Sequence, residues 1–209
     1  CIELKEFNYK GTIRYSGFVE PLLDKNIFNL INMARSNIPE CNIEVVTNGD
    51  PLDLGRLKKL FSSGLNRILI SAYDGKEETK KLEQLCIQAN LNEKQYIIRH
   101  RYLSEDQDFG ITLSNRAGLM ENAEYKIKSL KEPLKNPCYI PSYTFFLDYQ
   151  GDVLMCPHDW GKKIILGNLN NEKLLDIWFN NKSMQIRKTS LKKGLSLLIP
   201  GDISNASFL

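Results

Sequence analysis

The sequence lacks any apolar run approaching the roughly 20 residues that a helix needs to cross a bilayer. It also lacks an opening basic segment followed by an apolar one, which is the pattern of a secretory signal. We therefore expect a cytoplasmic protein that binds no membrane. Neither sign of charge dominates, because 28 lysines and arginines face 25 aspartates and glutamates. The composition gives no indication of nucleic-acid binding.

Cysteine is scarce, and no two cysteines stand close enough to form a CxxC or CxxxCxxC motif. An odd number of cysteines in a chain without a signal peptide argues against a disulfide framework and favours reduced thiols or metal ligands. Two of them lie in apolar-periodic surroundings and are expected to be ordinary buried residues. The five are Cys1, Cys41, Cys86, Cys138 and Cys156, and the expected buried pair is Cys41 and Cys86.

The first half of the chain alternates strand-like and helix-like segments. Four strand-like segments, at residues 11–17, 42–49, 66–75 and 95–103, are separated by three helix-like segments at residues 22–37, 52–64 and 76–91. This alternation predicts parallel βαβ units and an α/β fold whose site lies at the carboxyl ends of the strands. The first ten residues read as the end of a helix, so we expect the chain to be truncated at its front.

The alternation stops after about residue 109. A polar, glycine- and proline-containing connector follows, and then an apolar pattern interrupted by a turn at Tyr149–Gly151, which predicts a β-hairpin. Residues 171–194 carry a helical pattern. We predict four regions: a first domain at residues 1–109, a connector at 110–132, a small second domain at 133–194 and an irregular tail at 195–209.

Polar residues end three successive predicted strands. Because the carboxyl ends of parallel strands meet at one edge, five residues are expected to share a cofactor-sized site: Glu20, Thr47, Asn48, Ser71 and Arg101. Taken singly, each loop also has a structural explanation as a helix start, a turn or a cap. The recurrence after three strands favours a binding site.

The segments "SGFVEPLL", "VTNG" and "ISAYDG" together resemble the radical S-adenosylmethionine enzymes over about residues 1–105. The resemblance implies a partial (β/α)6 TIM-like barrel, incomplete at the N-terminus, that binds S-adenosylmethionine and a 4Fe-4S cluster. It implies that Glu20 lies near the methionine amino group, and that Ser71 and Arg101 hold the carboxylate and ribose. Enzymes of this family generate a 5′-deoxyadenosyl radical that abstracts hydrogen from a substrate.

Two departures from that family matter. The cluster-binding CxxxCxxC motif is absent from these 209 residues, and without three thiolates the radical-generating cluster cannot be held. Val19 stands where the family usually has glycine, and a β-branched side chain would interfere if that glycine serves backbone conformation or close approach to the cofactor. We therefore expect the chain as it stands not to generate the radical.

The pattern C-x12-G-x4-C, formed by Cys138, Gly151 and Cys156, precedes "LGNLNNEKLLDIWFNN". Together they resemble the SPASM extension, a small α+β module that binds auxiliary iron-sulfur clusters, over about residues 133–194. The resemblance implies that Cys138 and Cys156 are metal ligands of an auxiliary 4Fe-4S cluster. The CxxC that normally supplies two more ligands is absent. His158 is either a third ligand, for zinc or for a cluster, or a surface histidine beside the cluster.

"SNRAG" at residues 114–118 resembles a segment of family members that act on carbohydrates or peptides. Arg116 is thus either a substrate contact or an ordinary loop arginine. No single catalytic residue is predicted. The implied partners are a small-molecule or peptide substrate and an electron donor such as flavodoxin or ferredoxin.

Three hypotheses remain open from the sequence. The first is a fragment or divergent member of the radical S-adenosylmethionine/SPASM oxidoreductases. The second is a non-catalytic binding or scaffold protein that keeps the barrel. The third is a zinc protein that uses Cys138, Cys156 and His158.

Overall fold

The computed structural model describes residues 1–102, 121, 128 and 136–193. The chain divides between residues 112 and 113 into two compact units, which are described separately below. The predicted limits of the connector and the tail lie outside the described residues.

The first unit is built on a four-stranded parallel sheet in the order β1-β2-β3-β4. Its elements alternate as the hydrophobic pattern predicts, so the α/β fold with a parallel sheet is confirmed. They are α1 (Ile2–Glu6), β1 (Thr12–Tyr15), a 3-10 helix (Pro21–Leu23), α2 (Ile27–Asn37), β2 (Asn42–Thr47), α3 (Leu54–Ser62), β3 (Arg67–Ala72), α4 (Lys76–Gln88) and β4 (Tyr96–His100).

The two faces of this sheet differ in chemistry because successive side chains of a strand point to opposite sides. One face is apolar, and Val45 of β2 and Ile68 of β3 pack there with Ile31, Leu57 and Leu82 from the three helices α2, α3 and α4. The opposite face, called the polar face below, carries Arg14, Glu44, Arg67, Ser71 and Arg99.

The helix predicted at residues 22–37 begins later, at Ile27. The Glu20 side chain and Pro21 start a separate 3-10 helix, and Asp24 ends it in an extended conformation. Leu23, which the helical period placed on an apolar face, is therefore 72% exposed. The Asp24 carboxylate accepts a hydrogen bond from the Asn26 amide at 2.8 Å and leads the chain into α2.

The second unit contains a three-stranded antiparallel sheet in the order β5-β6-β7. The predicted hairpin is present, with Phe146 of β5 opposite Leu154 of β6 and Gly151 in the turn at φ +86°. A left-handed φ is readily adopted by glycine, which has no Cβ. The elements are α5 (Ile140–Tyr143), β5 (Phe146–Leu147), β6 (Asp152–Leu154), β7 (Ile165–Asn168), α6 (Leu174–Phe179) and α7 (Asn181–Lys193).

The helical pattern predicted at residues 171–194 forms two helices with a break at Asn180. The Asn180 side-chain oxygen accepts a hydrogen bond from the Ser183 amide at 2.7 Å, and its side-chain nitrogen donates to the Leu166 carbonyl at 2.9 Å. Asn180 thus caps the start of α7 and ties it to β7. Across the described parts of both units, no helix is both long and apolar enough to cross a membrane.

Candidate functional site

Glu20, just after β1, joins the loops that follow β1 and β2. Its Oε1 accepts hydrogen bonds from the Leu22 amide at 3.0 Å and from Thr47 Oγ1 at 2.7 Å. Its Oε2 accepts from the Asn48 amide at 2.8 Å. The structure therefore brings together Glu20, Thr47 and Asn48, as the strand-end argument predicts. A carboxylate has about four lone-pair positions, so one of them is left for a ligand.

Ser71 lies in β3 at the same edge and is directly opposite Arg99 of β4. The Ser71 hydroxyl is buried and accepts a hydrogen bond from Arg99 Nη2 at 2.8 Å. Arg99 Nε is also buried, and no hydrogen-bond acceptor reaches it from the part of the chain that the structure describes. Burial lowers the pKa of Arg99, and the nearby cations of Arg101 and Arg14 add to that effect. This guanidinium has spare donor capacity, and no carboxylate among the described residues forms an ion pair with it.

Arg101, the arginine predicted for the site, takes a different position. Its backbone amide donates to the Ala72 carbonyl at 2.8 Å, and its side chain is exposed. The partner of Ser71 is Arg99, which sequence reasoning missed. Arg99 and Arg101 are two residues apart in "RHR", so the sequence alone does not tell which of them is level with Ser71. The strand register does.

A buried carboxylate between two arginines is the second feature that sequence reasoning missed. Glu44 Oε2 accepts hydrogen bonds from Arg14 Nε at 2.8 Å and Nη2 at 2.6 Å, while Oε1 accepts from Nε of Arg67 at 2.9 Å and also from its Nη2. Burial raises the pKa of Glu44, but the hydrogen bonds from Arg67 and Arg14 outweigh it and the pKa is lowered. The sequence did contain a signal for this cluster, because each of three successive predicted strands carries one charged residue: Arg14, Glu44 and Arg67.

Val19 does not adopt a conformation that requires glycine. Its φ lies outside the left-handed region, and its side chain is 71% exposed. The glycine of this loop that has a positive φ is Gly17, at 133°. The β-branched side chain of Val19 therefore imposes no backbone strain on the loop that carries Glu20.

Cys138 and Cys156 both lie in the second unit, and Cys138 is close enough to contribute to the raised pKa of the Cys156 thiol. Cys138 precedes α5, and its amide donates to the Ser190 carbonyl of α7 at 2.9 Å. Cys156 follows β6 and is buried. Burial raises the pKa of the Cys156 thiol, and the nearby backbone N–H groups of His158 and Asp159 oppose that rise. Amide donors of this kind stabilise a thiolate and tune metal-bound sulfur.

The loop after Cys156 is fixed by the buried carboxylate of Asp159. Its two oxygens accept hydrogen bonds from the amides of Lys163 at 3.0 Å and Ile164 at 2.8 Å. Residues 1–102 and 136–193 contain no group of three His, Cys, Asp or Glu side chains arranged to hold a metal ion. The three-ligand set of Cys138, Cys156 and His158 is therefore not assembled there. Arg116, the predicted substrate contact, lies outside the described residues.

The remaining internal cysteines are buried in the first unit, as expected. Burial raises the pKa of the Cys86 thiol to about 11, with a further contribution from Glu83. Burial also raises the pKa of Cys41. Both side chains are therefore protonated at neutral pH and belong to the apolar core.

Comparison with known proteins defines the class first. Residues 138–196 match the family model of SPASM, an iron-sulfur cluster-binding domain. The chain is also 29% identical, over 192 residues, to the S-adenosyl-L-methionine-dependent 2-deoxy-scyllo-inosamine dehydrogenase of Niallia circulans. That match covers 92% of this chain and 71% of the relative.

Solved structures agree with this class. The crystal structure of BtrN in complex with AdoMet and 2-DOIA superposes with a TM-score of 0.72 and 26% identity, covering 91% of this chain and 71% of BtrN. Native anSMEcpe with bound AdoMet, at 14% identity and a TM-score of 0.60, shares the fold over 91% of this chain and 72% of its own. The chain thus resembles the radical S-adenosylmethionine enzymes that carry a SPASM domain, and the resemblance stated from the sequence is confirmed.

Proposed function

We propose that this chain binds S-adenosylmethionine at the carboxyl edge of its parallel sheet and holds part of an auxiliary iron-sulfur cluster through Cys138 and Cys156. The observation that carries the proposal is the convergence of Glu20, Thr47 and Asn48 at the same sheet edge as the Ser71–Arg99 pair. The sheet would then be part of a (β/α)6 barrel. By analogy with the name of the Niallia relative, the reaction would be dehydrogenation of a small carbohydrate-type molecule.

The side chains at this edge fit the methionine end of the cofactor. The Ser71 hydroxyl accepts from Arg99, so its own proton is available to an oxygen atom of a ligand. Arg99 Nε is a buried donor that no acceptor among the described residues reaches, and a carboxylate is a suitable partner for it. Glu20 keeps one lone-pair position for an ammonium group. S-adenosylmethionine, when bound in this family, supplies the radical that abstracts hydrogen.

Binding is tested by calorimetric titration of S-adenosylmethionine into anaerobically purified protein. We expect Arg99→Gln to weaken binding at least tenfold and Ser71→Ala several-fold, because a hydrogen bond to a charged group contributes about 1.5–3 kcal/mol and 1.4 kcal/mol is tenfold. The exposed Lys58→Gln removes the same charge elsewhere and serves as the control. Equal affinity in folded wild-type, Arg99→Gln and Ser71→Ala protein would refute the proposed site.

The residues present do not fit the radical-generating cluster. These 209 residues contain no CxxxCxxC motif, so we propose that they do not cleave S-adenosylmethionine by themselves. The test is to incubate the protein with S-adenosylmethionine and dithionite and to analyse the mixture by chromatography for 5′-deoxyadenosine. Its appearance with this chain alone, and not in a control without protein, would contradict the proposal.

Cys138 and Cys156 fit an auxiliary cluster in part. They provide two thiols, one of which has backbone N–H groups nearby that favour its thiolate, whereas a 4Fe-4S cluster is usually held by four thiolates. We derive no chemical step from such a cluster. Free thiols of this kind persist in the reducing cytoplasm, the location we propose, where flavodoxin or ferredoxin would be the electron donor.

A non-catalytic binding protein is the second candidate, favoured by the absence of CxxxCxxC from the sequence. It predicts ligand binding at the sheet edge in protein that takes up neither iron nor sulfide during anaerobic reconstitution. Iron uptake that depends on Cys138 and Cys156 would exclude it. If metal analysis found zinc and not iron in the protein, the zinc hypothesis would be favoured.

A further inference from the structure

We propose that Arg14 and Arg67, held in place by Glu44, form an oxyanion site on the polar face of the sheet, separate from the Ser71–Arg99 pair. It would bind the phosphate or carboxylate group of a small-molecule ligand. Where that ligand is taken to be the substrate, the inference rests on the function proposed above. The substrate would then be an anionic molecule and not a neutral sugar.

The strand register places these side chains together. Arg14 of β1, Glu44 of β2 and Arg67 of β3 are direct neighbours across the sheet, so all three lie on the polar face. Ser71 lies on the same face, four residues further along β3. At roughly 3.3 Å per residue the two rows of side chains stand about 13 Å apart. A small molecule that is bound beside the cofactor could therefore reach from the Ser71 row to the Arg14–Arg67 pair.

The carboxylate of Glu44 is shielded and the two cations are accessible. Glu44 has a fully buried side chain, whereas the side chains of Arg14 and Arg67 are 52% and 37% exposed. Each guanidinium uses Nε and Nη2 on Glu44, which leaves its Nη1 free of any hydrogen bond to Glu44. A ligand approaching from solvent therefore meets guanidinium donors before it meets the carboxylate.

The charges on this face do not balance. Among the described residues, Arg14 and Arg67 carry two positive charges against the one negative charge of Glu44. Arg99 adds a further cation, with Arg101 close to it. Arg14 is close enough to Arg99 to lower the pKa of that guanidinium. No carboxylate among the described residues forms an ion pair with Arg99. One carboxylate, that of methionine, would meet Arg99 and leave an excess of one positive charge at the Arg14–Arg67 pair.

The pair is suited to an oxyanion because its geometry is fixed in advance. A guanidinium presents parallel N–H donors that match the oxygens of phosphate and carboxylate groups. The hydrogen bonds to Glu44 hold both side chains in one rotamer, which reduces the entropy that a ligand would otherwise have to overcome. A structural role alone needs only one arginine to neutralise Glu44.

The experiment titrates inorganic phosphate into the folded 209-residue protein, with and without saturating S-adenosylmethionine, and measures affinity by calorimetry. We expect Arg14→Gln and Arg67→Gln each to weaken phosphate binding at least fivefold. Lys58→Gln is the charge-matched control and is expected to bind like wild type. Arg14→Gln should keep its S-adenosylmethionine affinity within twofold, since it leaves the Ser71–Arg99 pair intact.

Further arms identify the ligand class and separate the two proposals. Glucose 6-phosphate, which has a phosphate, and gluconate, which has a carboxylate, are both expected to bind through Arg14 and Arg67. Glucose, which has neither group, is not expected to bind. If Arg14→Gln does not fold, Arg14→Lys keeps the charge but loses the second donor, and several-fold weaker binding is expected. Phosphate binding without S-adenosylmethionine binding would refute the proposed function and support this site. The oxyanion site would be overturned if Arg14→Gln and Arg67→Gln bound phosphate as tightly as wild type does, or if glucose bound as tightly as glucose 6-phosphate.

Discussion

The candidate site of the first unit and the cysteine pair of the second differ in how complete they are. At the sheet edge, Glu20 is already hydrogen-bonded to Leu22, Thr47 and Asn48, and Ser71 to Arg99. In the second unit, Cys138 and Cys156 are two free thiols, with no third ligand among the residues that the structure describes. The sheet topology builds the first site, whereas the second, as proposed above, would be completed only by binding a cluster.

This difference has a consequence for stability. The first unit has a core of buried side chains from three helices and the two central strands, so it should be stable without ligand. Among the described residues of the second unit, the buried cluster at Cys156 contains Met155, Cys156, Ile164 and Ile186, and Val153, Leu154 and Ile177 are also buried, which makes a smaller core than that of the first unit. A small module of this kind usually depends on metal for much of its stability. Ligand removal should therefore affect the two units unequally.

The largest expected effect is on iron uptake, which should depend on the second unit and not on the first. Cys156→Ser should abolish iron uptake in anaerobic reconstitution, because it removes one of two neighbouring thiols. Reconstitution should raise the melting temperature of the second unit in wild type and leave that of the first unit unchanged. Iron analysis and differential scanning calorimetry measure both. Cys1→Ser, which changes an exposed thiol, is the control; iron uptake unchanged in Cys156→Ser would contradict the comparison.

Glu44→Ala tests whether the first unit is held by internal pairing. Two arginines lose a buried, hydrogen-bonded carboxylate, and we expect a loss of about 2–3 kcal/mol in the free energy of unfolding, at the low end for a buried pair because both arginines are partly exposed. Urea denaturation measures it. Glu77→Ala, which breaks an exposed pair with Lys80, should change stability by less than about 0.5 kcal/mol. Equal effects would contradict the assignment.

The lowered pKa of Glu44 predicts the pH dependence of that contribution. Glu44 binds its proton less tightly in the folded than in the unfolded chain, so the stabilisation is fully present above the unfolded pKa of about 4.3. It is lost as pH falls through the lower pKa of the folded state. Wild type and Glu44→Ala should therefore converge in stability below about pH 4. A constant difference down to pH 2 would show that the pair is not the source.

Glu20→Gln tests whether the loops are joined before a ligand binds. The amide presents one acceptor oxygen in place of two, so one or more of the bonds to Thr47 and Asn48 is lost. We expect a loss of about 1–2 kcal/mol in stability without any ligand. Glu40→Gln, at an exposed ion pair with Lys10, is the control. Unchanged stability of Glu20→Gln would mean that the loops are organised only by the cofactor.

The smallest expected effect concerns the helix break in the second unit. Asn180→Ala removes the cap of α7 and the bond to Leu166, and should cost about 1 kcal/mol. Asn181→Ala, at the adjacent position, is the matched control. Thermal melts of reconstituted protein measure the difference. If Asn180→Ala melts like the control, the break is not held by this cap.

The sequence predicted the parts of the fold that follow from periodicity and topology. Strands β1 to β4, their parallel order and the turn at Gly151 could be predicted because each has a local pattern. The meeting of Glu20 with Thr47 and Asn48 also follows, since adjacent parallel strands end at one edge.

The parts that were missed depend on register and on local competition. The choice between Arg99 and Arg101 requires the alignment of β3 with β4, which two arginines at alternate positions do not encode. The start of α2 depends on Glu20 capping a separate 3-10 helix, and the break at Asn180 depends on a bond to β7. The Glu44 network requires three strands in register.

The most direct test of the proposed cofactor site compares two arginines that are two residues apart. S-adenosylmethionine should bind Arg99→Gln at least tenfold more weakly than wild type, because Arg99 is the partner of Ser71 and carries a buried donor that no described acceptor reaches. Arg101→Gln should bind within twofold of wild type. The reverse order, with binding lost in Arg101→Gln and kept in Arg99→Gln, would contradict the assignment of the site.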